Sequence, residues 1–253
     1  MCFRQRSGRA FLSALFIPIM VASCTVKEQR TECPCLLTLL LDNLPSHPVQ
    51  YCLLQDGQLL SEGQALCDTS LTFPVPRRGV ELRVRSGGGK ASDTLQIPYG
   101  SPCPPVYLYR RLLDTGADAV RVQVRLSKHF CLLGLELEGP PGNGEPFWTQ
   151  VRGQVNGLGP DGRPQRGDFS CRLDPGGAVC LPRQSPADPL WLDITTADGT
   201  LRTFSLGAAL QEAGYDWTSP DLQDADLLLQ LSVTHLQLLP GGISRTIPLN
   251  VEI

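Results

Sequence analysis

Cysteine carries most of the reactive chemistry in this sequence. Ten cysteines stand among 253 residues, and Cys24 follows a stretch ordered like an export signal. Arg4, Arg6 and Arg9 come first, then an apolar run from Ala10 to Val21, then the small residues Ala22 and Ser23. The run is roughly half of the ~20 residues a membrane-crossing helix needs, and Pro18 would disturb a spanning helix. Cleavage after Ser23 would leave the Cys24 thiol at the head of the mature chain, where it could take lipid. With Cys2 removed and Cys24 modified, Cys33, Cys35, Cys52, Cys67, Cys103, Cys131, Cys171 and Cys180 remain. An even set in an exported chain permits disulfides, but spacing does not select the pairs. A Cys33-Pro34-Cys35 ring would be strained, so those two look elsewhere for partners.

The other reactive types form no catalytic set. The three histidines, His47, His129 and His235, make no His-Glu-x-x-His pattern, and no Gly-x-Ser-x-Gly elbow occurs. Ser86-Gly87-Gly88-Gly89-Lys90 lacks the spacing and the following Ser or Thr of a phosphate loop, and reads as a turn. Cys33-Pro-Cys35 and His129-Phe-Cys131 lack the paired spacing of structural zinc sites. Asp221, Asp224 and Asp226 read as a solvated turn rather than a calcium site. Arg166-Gly167-Asp168 reads as a chance adhesive triplet, and Arg83 with Arg85 as the solvent side of a strand. No nucleophile, base and orienting group are seen together, so the chain is expected to be neither an enzyme nor dependent on a cofactor or metal.

Loss of residues 1–23 removes three arginines and no carboxylate, leaving 19 basic against 25 acidic residues and a formal charge of −6. A mildly acidic chain offers no general case for binding nucleic acid.

The elements that position these residues read as strands. Leu36–Leu41 is an apolar run compatible with burial on both faces, and the segment 43–48 breaks it. Val49–Leu54 and Leu59-Leu60 flank an Asp56-Gly57 hairpin turn. Leu71, Phe73 and Val75 alternate with polar residues, as do Val80, Leu82 and Val84. A Pro-rich stretch from 98 to 105 precedes Val106–Tyr109. We place a boundary in the polar turn 113–118. Beyond it, alternation from Val120 to Leu126 predicts a strand that opens a second unit and pairs with Cys131–Leu137. Strands follow at 151–155, 169–171, 190–195, 201–204, 227–231 and 233–239, and at Ile247, Leu249, Val251 and Ile253. Ser205–Ala213 is the one predicted helix, with Ser205 able to cap its start and Gly214 at its end. Short strands between Gly/Pro turns predict an all-β chain of two β-sandwiches in series: signal 1–23, tether 24–32, first domain 33–114 and second domain 115–253.

Val21-Ala22-Ser23-Cys24 resembles a bacterial lipobox, and Thr25 resembles the residue that follows it in lipoproteins sent to the outer membrane. Together with Val26-Lys27-Glu28-Gln29-Arg30 and Cys33-Pro34-Cys35-Leu36, it is similar to the start of the FimB/Mfa-type fimbrial anchoring lipoproteins of the Bacteroidales. The resemblance continues in Leu126–Cys131, Val155–Gly162, Leu181–Gln184 and Gly214–Trp217. Members often carry His where Ser127 stands and Asp where Gln29 stands. The resemblance implies two tandem transthyretin-like β-sandwich domains and lipidation at Cys24. It also implies partnership with fimbrial shaft subunits and an outer-membrane position at the base of a fimbrium, where the protein anchors the filament and ends its assembly. Shaft subunits of such fimbriae lose an N-terminal strand by cleavage after a basic residue. Here the tether is too short to hold a removable strand, and cleavage after Arg30 would free the chain from its lipid. The partner is expected to bind by strand addition, at or near Thr246, Ile247, Leu249, Val251 and Ile253. The competing reading is a surface lipoprotein that binds glycan or another extracellular ligand, with Trp148, Trp191 and Trp217 as platforms.

Overall fold

Period-two alternation builds nearly every element of the chain. The computed structural model describes residues 33–42, 48–66, 68–138, 148–174, 176–195, 199–231, 235–240 and 247–250. Cys24, Cys67, Thr246, Val251 and Ile253 lie outside them. The first strands are β1 (Cys35–Leu40), β2 (Val49–Gln55), β3 (Gln58–Ala65), β4 (Ser70–Val75), β5 (Val80–Ser86), β6 (Leu95–Gln96), β7 (Tyr107–Leu113), β8 (Ala119–Gln123) and β9 (Ser127–Lys128). They are followed by β10 (Phe130–Glu138), β11 (Trp148–Leu158), β12 (Pro164–Arg172), β13 (Ala178–Pro182), β14 (Leu190–Thr195) and β15 (Leu201–Phe204). The helix α1 (Leu206–Glu212) then precedes β16 (Ala225–Leu231), β17 (His235–Pro240) and β18 (Ile247–Asn250).

Four sheets surround two cores. The sheets β4-β1-β8 and β3-β2-β5-β7-β9 enclose a first core containing Cys35, Leu37, Leu39, Leu41, Leu53, Val80, Leu82, Val84, Val122 and Val124. The sheets β13-β10-β16-β17-β18 and β12-β11-β14-β15, with β6 added to β11, enclose a second core containing Leu133, Leu135, Val151, Leu158, Phe169, Leu181, Leu192 and Leu227. The chain is therefore all-β apart from one short helix among the described residues.

The β2–β3 hairpin turns where Asp-Gly predicts, with both central residues at positive φ, 50° at Asp56 and 79° at Gly57, the combination a tight hairpin needs. Its second strand runs to Ala65, well past Leu60. β1 differs from its reading in a simple way. Cys35, Leu37, Leu39 and Leu41 are fully buried, whereas Leu36 is 50% exposed, so one face is covered and not two.

The larger difference concerns β8. It does not pair with the apolar run of β10. It joins β1 in parallel, Leu37 opposite Val120 and Leu39 opposite Val122, which sends Val122 and Val124 into the first core. β1 has β4 on one side, and its other side would have been an unpaired edge. A parallel partner requires a long crossover, which residues 41–118 supply. β10 instead takes β13 and β16 as neighbours. The turn at 113–118 is thus crossed within the first pair of sheets, and the chain leaves that pair between β9 and β10. The 98–106 segment makes an earlier excursion: Ile97, Cys103 and Val106 lie in the second core, and β7 reaches both, with Leu108 in the second and Leu113 in the first.

Candidate functional site

Four of the short motifs noted in the sequence meet at one point. Arg183, just beyond β13, is 7% exposed, and its five N–H groups are all used. Nη1 donates to the carbonyls of Trp217 at 2.7 Å and Ser219 at 2.6 Å. Nη2 donates to those of Lys128 at 3.4 Å and Pro220 at 3.3 Å, and Nε donates to His129 Nδ1 at 3.1 Å. With Nδ1 accepting, the neutral ring carries its proton on Nε2, 3.2 Å from Ser127 Oγ. Burial, reinforced by the nearby guanidinium, draws the His129 pKa down to about 4. Gly162 completes the pocket: its φ is +79°, and a Cβ there would stand 2.6 Å from His129 Cε1.

The backbone that delivers Trp217 to this point is set by the end of α1. Gly214, at φ +88°, follows the C-cap Ala213. Its N–H reaches Gln211 O at 2.9 Å while Tyr215 N–H reaches Leu210 O at 2.9 Å, the two bonds of a Schellman ending. The chain turns back sharply, so that the Tyr215 and Trp217 rings pack at a 59° tilt with centroids 4.6 Å apart. At the other end Ser205 holds the cap position but makes no side-chain cap bond, unlike the sequence reading.

Two neighbouring clefts flank this point and share Gln184, Ser185, Pro186 and Trp217. One, of about 310 Å³, lies against α1; the other, of about 370 Å³, lies against His129 and Arg163. Trp217 is 5% exposed, so it offers little face to a sugar. Trp191 on β14 lies under the Arg152 guanidinium, 5.3 Å from its ring centroid, while Trp148 at the start of β11 is half-exposed.

The other residues singled out from sequence take structural positions. Asp221 accepts from Lys128 N–H at 2.7 Å, and Asp224 accepts from Leu132 N–H at 2.8 Å and from the Lys128 ammonium. These carboxylates bind the β9–β10 junction. Arg166, Gly167 and Asp168 lie within β12, with Arg166 paired to Asp188 at 2.8 Å. Arg85 departs from its reading: it is 2% exposed. Its guanidinium donates to the carbonyls of Gly87, Lys90 and Asp93 at 2.9–3.2 Å, so the glycine-rich loop folds over it. Arg83 instead pairs with Glu81 at 2.7 Å, and no shared basic face forms. The role of Arg183 had no signal of its own in sequence. Only its place in a motif pointed to it, because a guanidinium held by carbonyls depends on loops far apart in the chain.

Two places correspond to the attachment points expected from sequence. At the N-terminal end, Arg77 Nε donates to Cys33 O at 2.7 Å, the Arg77 guanidinium pairs with Asp118, and Leu36 N–H donates to Asp118 O at 2.9 Å. The chain thus enters directly into β1, the middle strand of its sheet. At the C-terminal end, β18 carries Ile247 and Leu249 as the outermost strand of its sheet among the described residues, paired to β17 with Leu236 opposite Leu249.

No family model matches the sequence, and no curated protein matches it. The fold does recur in solved structures. The fimbrial anchor protein Mfa2 of Porphyromonas gingivalis superposes with a TM-score of 0.61 at 11% identity, over 85% of this chain and 99% of that one. A candidate polysaccharide-binding protein of Bacteroides thetaiotaomicron gives 0.63 at 12% identity, over 84% and 98%. A candidate adhesin of Bacteroides ovatus gives 0.63 at 11% identity, over 86% and 95%. At such identities the likeness is one of fold, and over most of its length this chain takes the fold seen in a fimbrial anchor and in its Bacteroides counterparts.

Proposed function

We propose that this protein anchors a fimbrium to the outer membrane and ends its assembly. Cys24 carries the lipid, the two cores act as two transthyretin-like domains, and a fimbrial shaft subunit adds a strand at the open edge near β18. The observation that carries the reading is where the chain enters the fold. β1 begins at Cys35, beyond Arg30, and is hydrogen-bonded on both sides, antiparallel to β4 and parallel to β8. Cleavage after Arg30 would cut the tether while leaving this strand in place, so it would open no groove and would release the molecule from its lipid. A subunit entered this way suits the fixed end of a filament. Pull along β1 loads both of its ladders in shear at once, and two or three acyl chains hold a membrane where one holds marginally. An unpaired sheet edge supplies main-chain donors and acceptors for an incoming strand.

The test compares fimbrial protein on cells and in the medium for wild type and Cys24→Ala, normalised to total secreted subunit. Filaments shed by the mutant are the expected result. Unchanged retention on cells, with the mutant protein exported and stable, would overturn the anchor role.

A further inference from the structure

We propose that Cys103 and Cys180 form a disulfide that ties the 98–106 crossing to β13. Both side chains are buried in the second core, at 2% and 9% exposure, both thiols are free, and Cys103 Sγ donates to Pro104 O at 3.2 Å. Cys103 N–H also donates to Cys180 O at 2.9 Å, so the two backbones are already side by side, the approach a disulfide requires. Cys171 is buried in the same core but comes from β12, in the facing sheet. Cys131, also buried in the second core, stands on β10 opposite Leu181. Cys33 is exposed ahead of β1, Cys35 lies in the first core, and Cys52 packs with Leu54 and Ala91.

The crossing has reason to be tied. Pro98, Pro102, Pro104 and Pro105 remove backbone donors from it. Single main-chain bonds from Ile97 to Asn156, Gly100 to Ser170 and Cys103 to Cys180 hold it to the second core, before β7 returns the chain to the first sheet. A covalent link at Cys103 would join the segment shared by both cores to β13 and remove freedom from a long loop of the unfolded chain. In the bond-forming step the two thiols give up two protons and two electrons. A disulfide-form oxidoreductase of the exported compartment takes up both and leaves as the dithiol, by way of a mixed disulfide. The neighbouring Cys180 thiol and burial both push the Cys103 thiol up, which slows its attack on another sulfur once it is seated.

The oxidant rests on the export reading, and the experiment separates the two. Full-length protein from the cell fraction that holds it is quenched in acid, alkylated in denaturant and digested without reductant. The expected result is one peptide pair joining Cys103 to Cys180, lost on reduction, with Cys171 alkylated. The same protein, reduced in denaturant and refolded with glutathione disulfide, should form the same pair. Reductant should lower the melting temperature of wild type by several degrees and leave that of Cys103→Ala unmoved. Free thiols in the cell with the pair formed on refolding would count against export and uphold the pairing. Cys103 and Cys180 alkylated singly in both preparations, or either linked to Cys171, would overturn it.

Discussion

Arg183 illustrates how a single buried cation can organise a region without any carboxylate. Its five donors are met by four carbonyls and one imidazole nitrogen; the carbonyls of Trp217, Ser219 and Pro220 belong to the irregular stretch after α1, while that of Lys128 ends β9 and also accepts from Leu222 N–H at 3.1 Å. Arg183→Met would leave those acceptors buried and unmet, at about 1–3 kcal/mol for each one that cannot recover water. We expect a total loss of about 2–4 kcal/mol, read as a lower denaturant midpoint for the mature chain. Arg183→Lys should restore little, since an ammonium cannot span the same fork. His129 adds a pH dependence. Its folded pKa, about 4, lies below the ordinary 6.5, so the unfolded chain binds the proton first as pH falls. The contribution is complete above pH 6.5, is lost as pH drops from 6.5 to about 4, and is constant below. The loss is on the order of 3 kcal/mol, and urea melts across that range should show it in wild type and not in His129→Gln.

At the scale of elements, β1 carries the sharpest contrast. Leu37 is completely buried and its neighbour Leu36 is 50% exposed, so the strand reports its own register. Leu37→Ala is expected to cost about 2–5 kcal/mol, and Leu36→Ala to stay within about 0.5 kcal/mol, by chemical denaturation. Equal losses at the two positions would mean that a second layer covers the outer face, as the continuous apolar run suggests when read alone. The helix shows the opposite balance. With no acidic residue in its first turn, no basic one in its last and no side-chain cap, α1 depends on the burial of Leu206, Ala209 and Leu210 and on its glycine ending.

For the whole molecule, the two proposed attachment points lie on different sheets: the proposed tether would enter β1 in the first pair, and β18 is at one side of the second. Force from a filament held near β18 would therefore cross both cores before reaching the membrane. That path runs through β7 and the β9–β10 junction, where Lys128 and His129 join Asp221, Asp224 and Arg183. Deleting residues 246–253 should abolish fimbrial attachment and leave lipidation intact. Lipidation is read by metabolic labelling with an alkyne fatty acid, and attachment by the fimbrial protein retained on cells. Normal attachment by the truncated protein would place the strand-accepting edge elsewhere.

Local pattern alone determined most of the strands, the Asp56-Gly57 hairpin, the glycine end of α1 and the division into many short elements, because period-two alternation and positive-φ turns act over a few residues; it gave no sign of β9 or β13. Tertiary structure decided which strands became neighbours. β8 alternates as well as any strand, but nothing in its residues says that Leu37 and Leu39, eighty positions earlier, need it more than β10 does. It also decided that Arg85 and Arg183 are buried, since arginine reads as a surface residue until distant carbonyls enclose it. Pairing and enclosure are properties of residues brought together from far along the chain, and a linear pattern carries no record of that meeting.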